Sequence, residues 1–233
     1  MKQTLPGKAK IYRREKPKSA LDEEKLRCVA PVFNRRTKSG FRLLTLPKTN
    51  WNFEKTVAQT WPGHEFVFSS VIENADARRR AVAMAKKLTG MMTNAEFAVI
   101  RKSDLEEASL YPVLKSYQVV ILEYGGSWNP KYLNYVDHIM RSRALAVGGW
   151  LLVIFALKPV KLTAKTAKDI ASGASDIFVA EKGSFFKSTG IPGAIVTMCD
   201  EDYNVVLEPT QPLITYTAAL QYPNVILGFK RTK

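Results

Sequence analysis

The chain has 233 residues, of which 46% are hydrophobic, and this is enough for one α/β domain with a sizeable core. Its 35 basic and 21 acidic residues leave a formal charge of +14, which favours nucleic acid or another polyanion as a partner, with plain solubility as the alternative. No apolar run reaches the roughly 18 residues of a membrane helix, and no apolar segment follows the basic N-terminus, so we expect no membrane association and no secretory signal.

Basic residues dominate residues 1–40, which we predict to be an N-terminal arm with a short helix, followed by one α/β domain at 41–233. Proline and glycine break any helix near the start, and Ser19 begins a short helix whose first turn holds acids that suit its dipole. Flexible basic segments contact nucleic-acid phosphates, although a solvated tail has the same composition. The residues that we predict to bind nucleic acid are Lys8, Lys10, Arg13, Arg14, Lys16, Arg35, Arg36 and Lys38.

Apolar runs and helical patterns alternate from residue 41 to about residue 104. Each apolar run predicts a strand, and the first two are followed by segments with apolar residues on one helical face. The predicted strands are Phe41–Leu46, Phe66–Ile72 and Phe97–Ile100. The predicted helices begin near Asn50 or Asn52 and near Ala75, and the second runs to Leu88 because Gly90 is a good C-terminal signal.

The most apolar part of the chain lies between Tyr117 and Leu157. Continuous apolar runs at 119–122 and 150–157 predict two strands buried on both faces. An Asn-Pro pair starts the helix between them, and Gly148-Gly149 closes the unit. Parallel strands joined by a helix form a right-handed crossover, and ligands bind beyond the carboxyl ends of such strands. We therefore expect chemistry at the polar, Gly-rich residues 123–128.

The C-terminal third has a different pattern. Thr163 caps a predicted helix that runs to about Ala171. Apolar residues at 194–199 and 203–207, separated by an acidic turn, predict an antiparallel hairpin. Residues 224–230 form a last predicted strand.

This order of strands and helices, with acids at strand ends, resembles the class I S-adenosylmethionine-dependent methyltransferase fold over residues 41–230. The resemblance implies S-adenosylmethionine as cofactor and a doubly wound, mostly parallel α/β sheet of about seven strands, here with an antiparallel hairpin at its C-terminal end. In the family a Gly-rich loop after the first strand cradles the cofactor. Residues 46–51 stand there without a glycine, which is the largest departure. The double-proline motif of the adenine and cytosine amino-methyltransferases is also absent.

The resemblance also implies roles for residues at the predicted cofactor site. Pro47 and Asn50 stand in the cofactor-holding loop, and Glu73 stands where the family places an acid that binds the ribose hydroxyls. Asp104 stands near the place of an acid beside the adenine. Both acids have a local alternative, because Glu73 can favour a helix dipole and Asp104 can cap a helix.

Catalytic or substrate-binding residues follow the fourth strand in the family, and Glu123 and Tyr124 occupy that position here. Trp128 can stack on the cofactor. A carboxylate that ends so apolar a strand either lines a pocket or pairs with a buried base. Tyr124 and Trp128 can instead pack over the edge of the sheet.

The side chains that bind metals or act as nucleophiles are few. Cys28 and Cys199 lie far apart without a CxxC motif, which argues against a disulfide scaffold and predicts a reducing, cytoplasmic compartment. His64 and His138 have no ligand partners at metal-binding spacing, so we expect no metal. No base stands near Cys199, which disfavours a thiol nucleophile. The motifs GxxxxGK(S/T), GxSxG and HExxH are absent.

Two functions remain open from the sequence. The first is a methyltransferase that acts on nucleic acid, and the acids at the strand ends favour it. The second is an inactive relative that binds nucleic acid or serves in assembly, for example as a viral component, and the glycine-free loop favours it. The sequence leaves open whether the nucleic acid is DNA or RNA, and whether the chain binds a protein partner or itself.

Overall fold

The computed structural model describes ten stretches of the chain, which contain nine strands and five helices. These stretches are residues 10–14, 17–34, 40–45, 51–72, 74–100, 116–127, 132–156, 191–209, 213–217 and 224–233. The strands are β1 (Lys10–Arg14), β2 (Phe41–Thr45), β3 (Phe66–Val71), β4 (Ala95–Ile100), β5 (Tyr117–Ser127), β6 (Leu145–Ala156), β7 (Leu207–Pro209), β8 (Leu213–Thr217) and β9 (Asn224–Arg231). The helices are α1 (Pro17–Phe33), α2 (Asn52–Thr60), α3 (Ala75–Met91), α4 (Leu133–Arg141) and α5 (Ile191–Tyr203).

The strands form one sheet in the order β1-β8-β9-β6-β5-β2-β3-β4, with the short β7 beside β9. Strands β4, β3, β2, β5 and β6 are parallel neighbours. The last strand, β9, is inserted between β6 and β8 and runs antiparallel to both. The expected mostly parallel α/β sheet with an antiparallel pair at its C-terminal end is therefore confirmed, and β1 and β7 add to the seven central strands.

Side chains alternate between the two faces of the central strands, and this alternation builds two core layers. Val119 and Ile121 of β5 belong to the layer under α1, α2 and α3, whereas Val120 and Leu122 belong to the layer under α4 and α5. All four side chains are buried. The continuous apolar run of β5 thus reflects burial on both faces, as the sequence predicted.

The predicted hairpin at 194–207 is wrong, because residues 191–203 form helix α5. Ile195 and Cys199 are four residues apart and both face the core, a spacing that a helix and a strand both allow. A short apolar run does not distinguish a strand from a buried helix by its pattern alone. The antiparallel pair at the C-terminal end is instead β8 with β9.

The predicted turn at Gly148-Gly149 lies inside β6, which begins at Leu145. Tyr117 pairs with Leu145 and Val119 pairs with Trp150, so β6 carries extra residues opposite β5 as a bulge. Gly148 has a φ of 76°, and a Cβ on Gly149 would lie 2.8 Å from the Ala146 carbonyl oxygen. Both glycines therefore fit the bulge.

The described residues of the N-terminal region form a strand and a helix that is longer than the sequence suggested. Helix α1 runs for 17 residues from Pro17 to Phe33, and its first turn holds no acid. Strand β1 pairs in parallel with β8 at one edge of the sheet. The separation of residues 1–40 as an arm stays a prediction. Helix α3 passes Gly90 and ends at Met91, and the predicted helix at 163–171 lies outside the described residues.

The reactivity of the Cys199 thiol reports on the packing of α5 against the sheet. Its side chain is buried, and burial raises the pKa of this thiol from 9.0 to about 12, with Arg231 acting in the opposite direction. We expect Cys199 to resist a thiol reagent at pH 8 in the native protein, while the half-buried Cys28 reacts faster. Because the folded pKa is raised, this group lowers stability as pH rises above about 9. Equal labelling rates of the two thiols, measured by mass spectrometry, would contradict this packing.

Candidate functional site

The carboxyl ends of the parallel strands lie at one edge of the sheet, which we call the carboxyl edge. Strand β2 ends at Thr45, which pairs with Ile121, so Glu123 of β5 lies beyond the end of its neighbour. The chain leaves β2 towards α2 on one face and leaves β5 towards α4 on the other. Neighbouring strands whose connections diverge in this way leave a crevice, which is where open α/β sheets bind ligands.

A buried lysine from α1 reaches Glu123 at this edge. Lys25 Nζ lies 2.9 Å from Glu123 Oε2 and 2.5 Å from Asp22 Oδ1. The ammonium also lies 4.5 Å from the centre of the Phe53 ring. Lys25 is only 1% exposed, whereas Glu123 and Asp22 keep 18% and 23% of their side chains exposed. Glu123 is thus paired with a buried base, and its carboxylate is also accessible at the carboxyl edge.

A third carboxylate lies at the end of β2. Thr45 Oγ1 donates a hydrogen bond of 2.8 Å to Glu54 Oε1, and both residues are buried. Glu54 belongs to the first turn of α2, where the helix dipole favours an anion. Among the described residues, Asp22, Glu54 and Glu123 bring three carboxylates to this edge, and the Lys25 ammonium lies between two of them.

Trp51 is the last residue of the glycine-free loop and directly precedes α2. Its φ of 54° and ψ of 24° are left-handed, a conformation that usually selects glycine. The indole is fully buried, donates from Nε1 to the Ala81 carbonyl oxygen at 3.2 Å, and packs edge-on against Phe97. The large ring that stands in this turn therefore packs against α3 and β4.

Tyr124 lies on the opposite face of β5 from Glu123, since neighbouring residues of a strand point to opposite faces. Its ring stacks on Tyr132 at 3.6 Å between centroids, and its hydroxyl donates to the Tyr132 carbonyl oxygen at 3.1 Å. Burial, and then the nearby Tyr135 and Tyr132, raise the pKa of the Tyr124 hydroxyl well above its usual value of 10.0. The structure thus does not bring the two predicted catalytic residues together, and this phenol stays neutral at physiological pH.

The other predicted cofactor residues, Pro47, Asn50, Glu73, Asp104 and Trp128, lie outside the described residues and stay predictions. Asn74, the neighbour of Glu73, caps α3 by accepting from the amides of Asp76 and Ala77, both at 2.9 Å. The cap of this helix is therefore Asn74.

The predicted nucleic-acid-binding residues also stay predictions. Lys8, Lys16, Arg35, Arg36 and Lys38 lie outside the described residues. Lys10, Arg13 and Arg14 lie in β1, for which only the backbone is described.

Sequence reasoning missed Lys25, Asp22, Thr45 and Glu54 as site residues. A signal for Lys25 was present, because Leu21, Lys25 and Val29 recur at a spacing of four on the buried side of α1. A lysine on the apolar side of a helix indicates a buried partner, which here is Glu123.

A cavity of about 420 Å³ lies away from this site, between the C-terminal ends of α4 and α5. Arg141, Arg143 and Arg231 line it together with Glu201 and Asp202. Burial and the nearby Arg143 lower the pKa of Arg231. Because it lies at the amino ends of the parallel strands, near Leu145, this cavity does not belong to the carboxyl edge.

Among the described residues, no group of three or more His, Cys, Asp or Glu side chains could hold a metal ion. None of the described helices is long and apolar enough to cross a membrane.

Replacing Lys25 with methionine is expected to destabilise the fold by about 1 to 3 kcal/mol, because the part-buried carboxylates lose their ammonium while packing volume is kept. Urea denaturation at pH 7 measures the change. The matched control is Lys55→Met, an exposed lysine of α2, for which we expect a change within about 0.5 kcal/mol. Equal stability of both variants would contradict the ion pair between Lys25 and Glu123.

No family model matches the sequence, and a search of curated proteins finds no match. Among solved structures, the chain is similar to the CurJ carbon methyltransferase, with a TM-score of 0.50 and 13% identity over 91% of this chain and 54% of that one. It is also similar to TYW2 from M. jannaschii, solved in complex with AdoMet, with a TM-score of 0.51 and 11% identity over 99% of this chain and 84% of that one. The chain thus spans about half the length of the CurJ methyltransferase. The order of its strands, the inserted antiparallel last strand and these similarities establish that the chain has the class I S-adenosylmethionine-dependent methyltransferase-like fold.

Proposed function

We propose that this chain is an S-adenosylmethionine-dependent methyltransferase whose substrate is a nucleic acid. The observation that carries the proposal is the group of carboxylates at the carboxyl edge, in a fold shared with a protein solved in complex with AdoMet. The positive charge of the whole chain supports the choice of a polyanionic substrate.

The charge of the carboxyl edge suits the cofactor. S-adenosylmethionine carries an ammonium and a sulfonium, and carboxylates in a partly desolvated crevice stabilise such cations. One ammonium, that of Lys25, already lies between the carboxylates of Asp22 and Glu123. The predicted ribose and adenine contacts of Glu73 and Asp104 belong to the same proposal, since both follow strands that end at this edge.

Bound S-adenosylmethionine would supply an activated methyl group for an in-line transfer, so the protein contributes mainly position and electrostatics. Glu123 presents a carboxylate at the edge that can orient a substrate N–H or O–H group and accept its proton. Lys25 and Asp22 fix the side chain of Glu123 in place. The stacked pair of Tyr124 and Tyr132 supports β5 from the opposite face.

A second candidate function is an inactive relative that binds nucleic acid. The observation that favours it is the rebuilt turn, in which a buried Trp51 holds a left-handed conformation after a loop without glycine. A loop with a proline and large side chains lets a ligand approach its backbone less closely than a glycine loop does.

Transfer of a labelled methyl group separates the two candidates. Purified protein is incubated with S-adenosylmethionine labelled in its methyl group and with single-stranded RNA, duplex RNA, single-stranded DNA or duplex DNA. The proposal predicts label in one class of nucleic acid, and the class that is labelled identifies the substrate. Nucleic-acid binding without label in any class would favour the inactive relative.

A further inference from the structure

Helix α3 exposes an unusually basic surface. It carries five basic residues and one acid, Asp76. The basic residues are Arg78, Arg79, Arg80, Lys86 and Lys87. Arg79 pairs with Asp76 at 2.7 Å, and both side chains are largely exposed. Among the described residues, no carboxylate lies within ion-pair distance of Arg80, Lys86 or Lys87. These three charges are therefore available to an external anion.

The spacing of the exposed residues makes a continuous stripe along the helix. Arg80, Met84, Lys87 and Met91 follow one another at steps of four, three and four residues, which place them on one helical face. All four are exposed, whereas Ala81, Ala85 and Leu88 on the other side are buried against the sheet. From Arg79 to Lys87 the basic residues span about 12 Å at about 1.5 Å of rise per residue.

Apolar side chains accompany the charges on the same helix. Val82, Met84 and Met91 are 40%, 38% and 68% exposed, and they are three of the five large apolar side chains that the described residues expose. Several exposed apolar side chains surrounded by charged residues indicate an interaction surface more often than a single exposed apolar side chain does. Basic and apolar groups together suit the phosphates and the sugar or base faces of a nucleic acid.

The direction of α3 links this surface to the candidate site. The helix follows β3 and is capped by Asn74, so its N-terminal turns lie at the carboxyl edge. Arg79 and Arg80 are therefore at the end of the helix nearest that edge, and Lys86 and Lys87 lie about 10 Å further along. The N-terminal end of α3 thus lies at the same edge of the sheet as Glu123.

We propose that the exposed face of α3 is a phosphate-binding track that holds a nucleic acid strand against the carboxyl edge. That the partner is a nucleic acid rests on the proposed function. That α3 provides the surface that binds it goes beyond that function. The charge of this helix is complementary to that of nucleic-acid phosphates, because the helix carries four more positive than negative charges and the chain has a net charge of +14.

The test compares two double variants that each remove two positive charges. Lys86→Gln with Lys87→Gln alters α3, and Arg143→Gln with Lys233→Gln is the control at the other end of the sheet. Binding of a fluorescent 20-nucleotide single strand and of a 20-base-pair duplex is measured from 50 to 300 mM salt. Two lost phosphate contacts are expected to reduce the slope of log Kd against log salt by about 1.4 on the single strand or about 1.8 on the duplex. The control is expected to keep the wild-type slope.

The outcomes separate this inference from the proposed function. A wild-type slope in the α3 variant, with salt-dependent binding by the wild type, overturns the α3 track alone. Equal losses in both variants also overturn it, because the effect is then one of net charge. No binding by the wild type overturns both proposals. Vesicles of anionic phospholipid serve as a second probe, and a loss of vesicle binding without a loss of nucleic-acid binding in the α3 variant assigns the surface to a membrane and contradicts the track.

Discussion

Replacement of Glu123 with glutamine is expected to slow methyl transfer by about 100-fold, within the range for the loss of a positioned proton acceptor. The change keeps the size of the side chain and removes its negative charge. The same change takes one carboxylate from the buried ammonium of Lys25, so we also expect a loss of about 1 to 3 kcal/mol in stability. Single-turnover rates with the labelled cofactor, at a temperature where both proteins are folded, measure the first effect.

Two further variants separate chemistry from stability. Glu96→Gln is the matched control, since Glu96 is an exposed acid of β4, and we expect the wild-type rate. The double variant Lys25→Met with Glu123→Gln removes both members of the ion pair. We expect it to be more stable than the sum of the single changes predicts, while methyl transfer stays slow. A wild-type rate in Glu123→Gln, or recovery of the rate in the double variant, would contradict a direct role for this carboxylate.

Replacement of Trp51 with alanine is expected to lower the free energy of unfolding by about 3 to 5 kcal/mol, the usual cost of truncating a buried Trp. The indole is fully buried, donates a hydrogen bond to the Ala81 carbonyl oxygen and packs on Phe97. Alanine leaves a cavity between α2, α3 and β4, and it leaves that carbonyl without its donor. Chemical denaturation followed by circular dichroism measures the change.

Trp61→Ala is the matched control, because Trp61 is only half-buried and its indole donates to Asn34 on the surface. We expect it to lose about 1 to 2 kcal/mol. Trp51→Gly tests the backbone, since glycine adopts a φ of 54° without the cost of about 1 kcal/mol that other residues have there. The free energy of unfolding of Trp51→Gly should therefore be at least as high as that of Trp51→Ala. A clearly lower value for Trp51→Gly would contradict the left-handed turn.

The sheet was predictable because its central strands are buried on both faces. Continuous apolar runs at 119–122 and 150–157 locate much of β5 and most of β6, and the repeated strand-helix order predicts their parallel pairing. Helix α5 was not predictable from its short apolar run, since Ile195 and Cys199 fit a helix and a strand equally well without knowledge of their neighbours. The bulge at Gly148 depends on pairing across strands, which local sequence does not specify.

The sequence predicted where the candidate site lies but not which side chains contact one another there. The sequence pattern ends this strand before Glu123, whereas β5 continues to Ser127; Glu123 still lies at the carboxyl edge because its neighbour β2 ends at Thr45. Its partner Lys25 is 98 residues away in sequence, so the ion pair depends on how α1 packs over β2 and β5. Tyr124 was predicted to be a catalytic or substrate-binding residue, but it lies on the other face of β5, where its hydroxyl donates to the Tyr132 carbonyl oxygen. Alternation along one strand is enough to separate these two neighbours.

Binding of S-adenosylmethionine to the wild-type protein, measured by isothermal titration calorimetry, tests the central claim most directly. The claim is that the carboxyl edge holds this cofactor, with the predicted contact of Glu73 to its ribose. We expect saturable binding with a Kd between about 1 μM and 1 mM, and a loss of the signal in Glu73→Ala. No heat of binding at millimolar cofactor would contradict the claim. The chain would then have the methyltransferase-like fold but no cofactor site and no methyltransferase activity.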